Sequence, residues 1–276
     1  MADRFEFTLG SVEAAVVGRA LNADVRRFPL RIRNTTVDPV RYTKLAILVR
    51  DELAERGLSS ADQLHPSVRT AMELFNAHQV SVSVTGWNAK QEDLAMVAMS
   101  DGAQALAVTQ APKSDTLCFS LFADEDLVST IAGFLPGTRA TPERTFTVEH
   151  RPAPAMSAMA QLRRAEAEET DAFRNVDVVG QIAAEPKRRP QPKNDTERLA
   201  EMMSGERLGS GFLAATGRRR TGELRSAPPV GWVDTGQGRY LVETTTAANG
   251  ATVATFRPSG ATELATTIRH VISSVY

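Results

Sequence analysis

Alternating apolar and polar positions predict two similar β-hairpins in distant parts of the chain. Residues 228–242 read PPVGWVDTGQGRYLV, two runs of β-forming residues around a turn in which Gly236 and Gly238 supply positive φ angles. Residues 94–110 read LAMVAMSDGAQALAVTQ, two apolar runs around an Asp-Gly pair that is typical of a hairpin turn. We interpret both segments as central hairpins of an antiparallel sheet.

Each hairpin sits within the same series of predicted elements. A strand-like segment precedes each one, over residues 80–87 and 209–216. A fourth strand and an amphipathic helix follow each one, over residues 116–135 and 251–276. The sequence therefore predicts one unit of four strands and a helix that occurs twice.

The region before the first unit predicts a strand and several helices. Residues 4–9 alternate large apolar side chains with polar ones, as in a half-buried strand. The first long helix is predicted between Asp38 and Gly57, with a proline at its first position. Its apolar residues predict a single buried stripe, made of Leu45, Leu48, Val49 and Leu53.

The chain divides into two predicted halves that together form one compact domain. The first half covers residues 1–150, and the second, residues 151–276, repeats the same unit. A proline-rich connection over residues 137–155 joins them. Residues 185–207 carry many charges and three prolines, which predicts a mobile loop with a short helix.

The composition favours a globular protein without a strong overall charge. The chain has 276 residues, of which 42% are hydrophobic, and its formal net charge is −1. Such a charge creates no general attraction to nucleic acid or to an anionic membrane. Because no secretory leader and no apolar run of about 18 residues is evident, we expect a cytoplasmic protein that does not insert into membranes. The one cysteine, Cys118, lies in an alternating run and is expected to be buried.

Residue patterns for catalysis or cofactor binding are absent from the sequence. The four histidines lie far apart, so no zinc-binding spacing occurs. Residues 209–214 superficially match a dinucleotide-binding glycine pattern. That motif needs a buried strand before it and a helix after it, whereas here a charged segment precedes it and three arginines follow. We therefore predict no catalytic, metal or cofactor site.

Two kinds of residue remain as candidates for a binding surface. There are two basic clusters, one made of Lys187, Arg188, Arg189 and Lys193 and the other of Arg218, Arg219, Arg220 and Arg225. Both carry the positive charge that contacts phosphates in nucleic-acid-binding proteins. In the alternative interpretation, both clusters belong to solvated loops, and the second one keeps a sheet edge from pairing with another sheet. Trp87 and Trp232 occupy related places in the two units, either as core residues or as anchors for a protein partner.

Several motifs follow one another along essentially the whole chain. Those in the first half are FTLGSVEAAVVGRAL, the RGL that ends the long helix, the helix from Leu64 to Phe75 and DEDLVSTIAGFLPG. Those in the second half are VVGQIAA, a GRRR strand, WVDTGQGRYLV and FRPSGATELATTIRHVI. In this order they resemble the EspG proteins, the cytoplasmic chaperones of ESX (type VII) secretion systems.

This resemblance implies an α+β fold, with a central antiparallel sheet flanked by helical bundles and two halves related by an approximate two-fold. It implies a non-enzymatic adaptor that binds the helical tip of PE–PPE heterodimers. Such an adaptor masks an apolar surface, keeps the heterodimer soluble and directs it to the ESX machinery. No cofactor is implied, and we expect the chain to be a monomer or a weak homodimer.

The family's contacts map by position onto two loops, Trp87 to Asp93 and Arg218 to Pro229. We expect both loops to project from the same side of the sheet. The predicted protein-binding residues belong to these loops and to the strands beside them. They are Trp87, Asn88, Lys90, Gln91, Arg218, Arg219, Arg220, Trp232 and Arg239.

Two other functions stay open from the sequence. A nucleic-acid-associated factor would use the arginine clusters, and its binding would weaken steeply with added salt. An enzyme on an unfamiliar α+β scaffold would need a pocket that holds a histidine or carboxylate with a shifted pKa.

Overall fold

A computed structural model describes residues 4–60, 63–150, 194–218 and 222–276. The first part of the described chain contains β1 (Phe5–Gly10), α1 (Ser11–Ala20), α2 (Pro39–Glu55), β2 (Ser59–Ser60), β3 (Gln63–Leu64), α3 (Pro66–Ala77), β4 (Val80–Trp87), β5 (Asp93–Ser100), β6 (Gln104–Gln110), β7 (Thr116–Ala123) and α4 (Leu127–Phe134). The second part contains β8 (Phe146–His150), α5 (Asp195–Ser204), β9 (Arg207–Arg218), β10 (Leu224–Ser226), β11 (Val230–Thr235), β12 (Gly238–Thr246), β13 (Thr252–Pro258) and α6 (Ala261–Ser273).

Eleven of these strands form one sheet, and β2 and β3 pair separately. The order across the large sheet is β1-β7-β6-β5-β4-β9-β11-β12-β13-β8, with β10 paired to β9. All strand pairs in the sheet are antiparallel. This confirms the predicted α+β fold with a central antiparallel sheet.

The centre of the sheet is the pair formed by β4 and β9, whose register runs from Val80↔Gly217 to Trp87↔Ser210. From this pair, successive strands of the chain follow outward on both sides. The strand that comes first in each part, β1 or β8, closes the corresponding edge. This order agrees with two related halves, and the origin of the halves by duplication stays a prediction.

The predicted boundary between halves falls beside a strand. β8 lies within the predicted connection and ends at residue 150, yet it pairs with β13 of the second half. A division at residue 150 stays a prediction, and the pairing assigns β8 structurally to the second half. Residues 151–193 lie outside the described residues.

The predicted charged segment over 185–207 contains α5 within its described part. Asn194 caps this helix, because its side-chain oxygen accepts a hydrogen bond of 2.8 Å from the Glu197 N–H. The Glu197 carboxylate in turn accepts a hydrogen bond of 3.0 Å from the Asn194 N–H, which completes a capping box. The short helix is therefore confirmed, and residues 185–193 lie outside the described residues.

Helices pack on both faces of the sheet. On one face, α1, α2 and α3 cover β5, β6 and β7 through a cluster that includes Phe75, Val97 and Phe119. On the opposite face, α4 and α6 cover the central strands through a cluster that includes Val84, Leu213 and Ile268. A third, smaller cluster joins α5 to β8, β12 and β13, and its buried members are Phe146, Tyr240 and Phe256.

Two predictions about burial are wrong. Cys118 is exposed, because the alternation of β7 directs its neighbours Leu117 and Phe119 into the core and turns Cys118 to the other face. Leu48 is 61% exposed, whereas Val49 and Leu53 are buried as expected. The inward side of α2 is centred near Val49, which leaves Leu48 on the outward side.

Two glycines allow the central strands to pack closely beneath Trp232. Gly86 is paired with Gly211, and Gly211 is paired with Trp232, so the three residues form a row across the sheet. A Cβ atom at Gly211 would lie 2.2 Å from the Thr85 oxygen and 2.4 Å from Cη2 of Trp232. The absence of side chains at both glycines therefore makes room for the indole, which is 1% exposed.

A buried ion pair ties β12 to the connection that follows α4. Arg239 donates to both carboxylate oxygens of Asp234, over 2.6 and 2.8 Å, and it donates to the Pro136 carbonyl over 2.7 Å. Both charged side chains are almost completely buried. Next to this pair, Gly238 has a φ of +138°, and a Cβ atom there would lie 2.6 Å from the Thr141 nitrogen. Gly236 does not adopt a positive φ, contrary to the prediction.

Gly211→Ala should destabilise the protein strongly, because the new methyl group would collide with strand backbone and with the Trp232 ring. We expect the free energy of unfolding to fall by about 3 kcal/mol, near the upper end for overpacking. Gly133→Ala is the control, since it lies in α4 with no atom within 4 Å of the added carbon, and it should be neutral or slightly stabilising. Urea unfolding compares the two variants. Equal stability of both would contradict the proposed close packing.

Arg239→Met should destabilise the protein by about 3–5 kcal/mol, because it leaves the buried Asp234 carboxylate without its cation. Adding Asp234→Asn should recover part of this loss, since the amide carries no charge. Arg257→Met is the control, because the Arg257–Glu243 ion pair of 2.7 Å is about half exposed and should contribute less than about 1 kcal/mol. Chemical unfolding of the three variants and the unmodified chain measures the difference. Similar losses from Arg239→Met and Arg257→Met would contradict this role.

Candidate protein-binding face of the sheet

The two faces of the central strands have different surroundings. Directly paired residues of an antiparallel sheet point to the same face. Val84, Leu213 and Val230 share the face beneath α4 and α6 and are buried. The residues that alternate with them are only partly buried, so the opposite face is the accessible one.

We define the open sheet face as the accessible side of β4, β9 and β11. Its members are Thr85, Trp87, Ser210, Phe212 and Val233. Phe212 is 40% exposed, and the other four are half-buried. Ser210 lies opposite both Trp87 and Val233, which places the tryptophan and the valine on the same side of the sheet. The result is a surface with an aromatic centre and small polar neighbours.

A second aromatic side chain joins this surface from the loop before α2. The Phe28 ring lies parallel to that of Phe212, with 6.4 Å between ring centroids, and Phe28 is 65% exposed. The hydroxyl of Ser83 on β4 donates a hydrogen bond of 2.9 Å to the Phe28 carbonyl. This bond fixes the loop against the sheet and places the two phenylalanines together.

Neither phenylalanine was among the predicted site residues. The alternation of β9 would have identified Phe212, because the buried Leu213 beside it must point to the opposite face. No local pattern marks Phe28, because its place over the sheet results from the path of a loop far away in sequence. Trp87, in contrast, was predicted and lies on this face.

The loop between β4 and β5 is organised by Asn88. Its side-chain oxygen accepts hydrogen bonds from the N–H groups of Lys90, over 2.9 Å, and Glu92, over 3.1 Å. Its amide nitrogen donates to the Glu92 carboxylate over 3.0 Å. Lys90 and Gln91 are exposed at the tip, and Gln91 has a φ of +60°. Asn88 therefore shapes the loop, and the next two predicted residues present their side chains to solvent.

The rim of the open sheet face near this loop carries both signs of charge. Arg31, from the loop that also carries Phe28, forms an exposed ion pair with Asp93 at the start of β5. Lys90 and Glu92 lie in the turn beside it. An apolar centre bordered by mixed charges is the usual arrangement of a protein-binding surface.

Arg218 lies at the opposite end of the central strands from Trp87. In the β4–β9 register, Trp87 pairs with Ser210, whereas Val80 pairs with Gly217, next to Arg218. Seven residues of extended strand separate these ends by about 23 Å. The two loops therefore leave the central strands at opposite ends, and the expectation that they project from the same side is wrong. Arg219 and Arg220 lie outside the described residues.

Trp232 and Arg239 are framework residues in this structure. Each is 1% exposed, Trp232 under α4 and α6 and Arg239 in its ion pair with Asp234. Neither side chain reaches the surface, so the proposed contact with a partner does not extend to them. Their positions close to exposed loops in sequence did not reveal this, because burial depends on which face the helices cover.

Groups with shifted pKa values are scattered over the described residues. Burial lowers the pKa of His78, which follows α3, against a smaller opposing effect of its hydrogen bond to the Leu74 carbonyl. Burial raises the pKa of Tyr240 and of Tyr276. These three groups lie in different parts of the described chain and are not members of the open sheet face. Within the described ranges, no cluster of three metal-ligating side chains occurs.

Among the residues that the structure describes, no helix combines the length and hydrophobicity that a membrane span requires.

Comparison with known proteins agrees with the fold. A solved structure with a similar fold is that of the Mycobacterium tuberculosis type VII secretion system chaperone EspG5 in complex with the PE25–PPE41 dimer. The TM-score is 0.61 at 12% sequence identity, and the match covers 99% of this chain and 97% of EspG5. No curated protein matches the chain in sequence.

The family comparison covers nearly the whole sequence. The model of the EspG family matches residues 11–270, from the first residue of α1 into α6. The match therefore includes every element that forms the open sheet face and its surroundings. This chain belongs to the EspG family.

Proposed function

We propose that this chain is a non-enzymatic chaperone of the bacterial cytoplasm that binds PE–PPE heterodimers and delivers them to a type VII secretion system. The family match over residues 11–270 carries this proposal. The similarity of the whole fold to EspG5, which was solved with the PE25–PPE41 dimer, supports the same partner class. The substrate would be a folded helical heterodimer, and the chain would require no cofactor.

The open sheet face is the proposed contact surface. A helical tip with exposed apolar side chains tends to self-associate, and a complementary apolar surface prevents this by covering it. Phe28, Phe212 and Trp87 supply the aromatic side chains that often dominate binding energy in such interfaces. The small residues between them, Thr85 and Ser210, leave space into which a partner's side chains fit.

The other face of the same strands is not available for this role. There α4 and α6 already bury Val84, Leu213 and Trp232. A partner could reach them only by displacing both helices. Because helices cover one face and leave the other accessible, we assign partner binding to the open sheet face.

Charged residues at both ends of the open sheet face complete the proposed surface. Lys90, beside the neutral Gln91, lies at the Trp87 end, and Arg218 lies at the other end, followed by Arg219 and Arg220. Charges at the rim of an interface influence association rate and salt dependence more than final affinity. We assign them to partner orientation, with the aromatic residues as the main source of affinity.

Coexpression with candidate PE–PPE pairs tests the proposed function. The cognate pair should co-elute with the chain in size-exclusion chromatography, and its soluble yield should rise, because its apolar tip is covered. The pair expressed alone serves as the control. If no pair co-elutes and none becomes more soluble, the proposed function is wrong.

Trp87→Ala and Phe212→Ala should each weaken binding of the cognate pair by about tenfold or more, as expected for central aromatic contacts. Ile47→Ala is the matched control, because Ile47 is 46% exposed, similar to the 40% of Phe212, and belongs to α2 and not to the strands of the open sheet face. Isothermal titration calorimetry gives the affinities, and circular dichroism checks folding. Unchanged affinity in both aromatic variants would show that the binding surface lies elsewhere on the chain.

A further inference from the structure

Helix α2 is apolar on two opposite sides. Its inward side packs into the core through Val49 and Leu53, which are buried, and through the partly buried Leu45. Its outward side carries Val40, Ile47 and Leu48, whose exposed fractions are 66%, 46% and 61%. A helix that only covers a core needs one apolar stripe, and polar residues normally occupy the other side. The outward stripe therefore has no role in the fold of the described residues.

The two charges nearest the centre of this outward stripe lie symmetrically around it. Lys44 lies three residues before Ile47, and Asp51 lies three residues after Leu48. The spacing i, i+3, i+4, i+7 places the four residues on one side of the helix. Lys44 and Asp51 thus flank the apolar centre at equal distances and carry opposite charges.

We propose that α2 pairs with α2 of a second copy of this chain in an antiparallel homodimer. In a two-fold arrangement centred between Ile47 and Leu48, Ile47 of each copy lies beside Leu48 of the other. The same two-fold rotation places Lys44 of each copy opposite Asp51 of the other, so the dimer interface contains two ion pairs. This self-complementarity is what a symmetric dimer interface requires.

The partner of the outward side of α2 is a second copy of the chain, because the charge pattern of this helix is complementary to itself in the antiparallel arrangement. A parallel arrangement would place Lys44 against Lys44 and Asp51 against Asp51, with repulsion at both ends. Asp51 already forms an ion pair of 2.9 Å with Arg50 of its own chain, with both side chains more than half exposed. Such an exposed pair contributes little stability, so it does not prevent a second contact across the dimer.

The size of the contact predicts a weak dimer. The 17 residues of α2 extend over about 25 Å, and packed helices approach to about 8–10 Å between axes. One such helix pair buries less than the roughly 1,200 Å² of a standard stable interface. We therefore expect a dissociation constant between about 10 and 500 µM. The interface lies on the outward side of α2, apart from the open sheet face, and does not depend on the proposed function.

Sedimentation equilibrium of the full chain between about 5 and 500 µM tests this inference across the expected range. The unmodified chain should shift from monomer towards dimer as concentration rises. Lys44→Glu and Asp51→Lys should each weaken dimerisation about fivefold or more, because each places like charges opposite one another. The double variant Lys44→Glu/Asp51→Lys should restore it, because the ion pairs form again with exchanged signs.

Arg69→Glu on α3 is the control, since it reverses a charge that is also exposed but lies outside α2, and it should leave dimerisation unchanged. Ile47→Ala should weaken the dimer without adding charge, which separates packing from electrostatics. Circular dichroism and thermal unfolding confirm that each variant is folded. A chain that stays monomeric throughout would overturn the inference. A dimer that the single charge reversals leave unchanged, or that the double variant fails to restore, would overturn it as well.

Discussion

The structure depends on the close antiparallel contact between β4 and β9. This one strand pair joins a group of five strands and a group of six into a continuous sheet, and the row formed by Gly86, Gly211 and Trp232 lies across it. Because neither glycine carries a side chain, the indole packs against strand backbone and α4 and α6 pack over it. The same contact orients the opposite side chains of these strands towards solvent. The stable core and the accessible surface are therefore two faces of one strand pair.

That geometry also separates the equivalent loops of the two halves. Antiparallel neighbours run in opposite directions, so the loop after β4 and the loop after β9 leave the sheet at opposite ends. A partner seated on the open sheet face would lie between them, with Phe28 and Phe212 near the middle. The fold of this EspG protein thus provides an extended surface with charged residues at each end. It does not provide a binding site formed by two adjacent loops.

In α2, as in the central strand pair, two sides of one element have different roles. The helix needs only the side near Val49 and Leu53 to stay attached to the core. Its remaining surface is free to carry a second pattern, in which Ile47 and Leu48 lie between charges of opposite sign. One helix can therefore serve the fold and an association surface at once, because residues on its two sides never meet.

The sequence by itself determined the antiparallel α+β fold, most strand positions and the family, because alternation, turn residues and motif order are local properties. It also predicted Trp87, which lies on the open sheet face, and Lys90 and Gln91, which are exposed in the loop beside it. Only the tertiary structure decided which side of each strand stays accessible, since helices from other parts of the chain cover one face and leave the other. For this reason Trp232 and Arg239 proved to be buried, while Phe28 and Phe212, far apart in sequence, came together on the open sheet face.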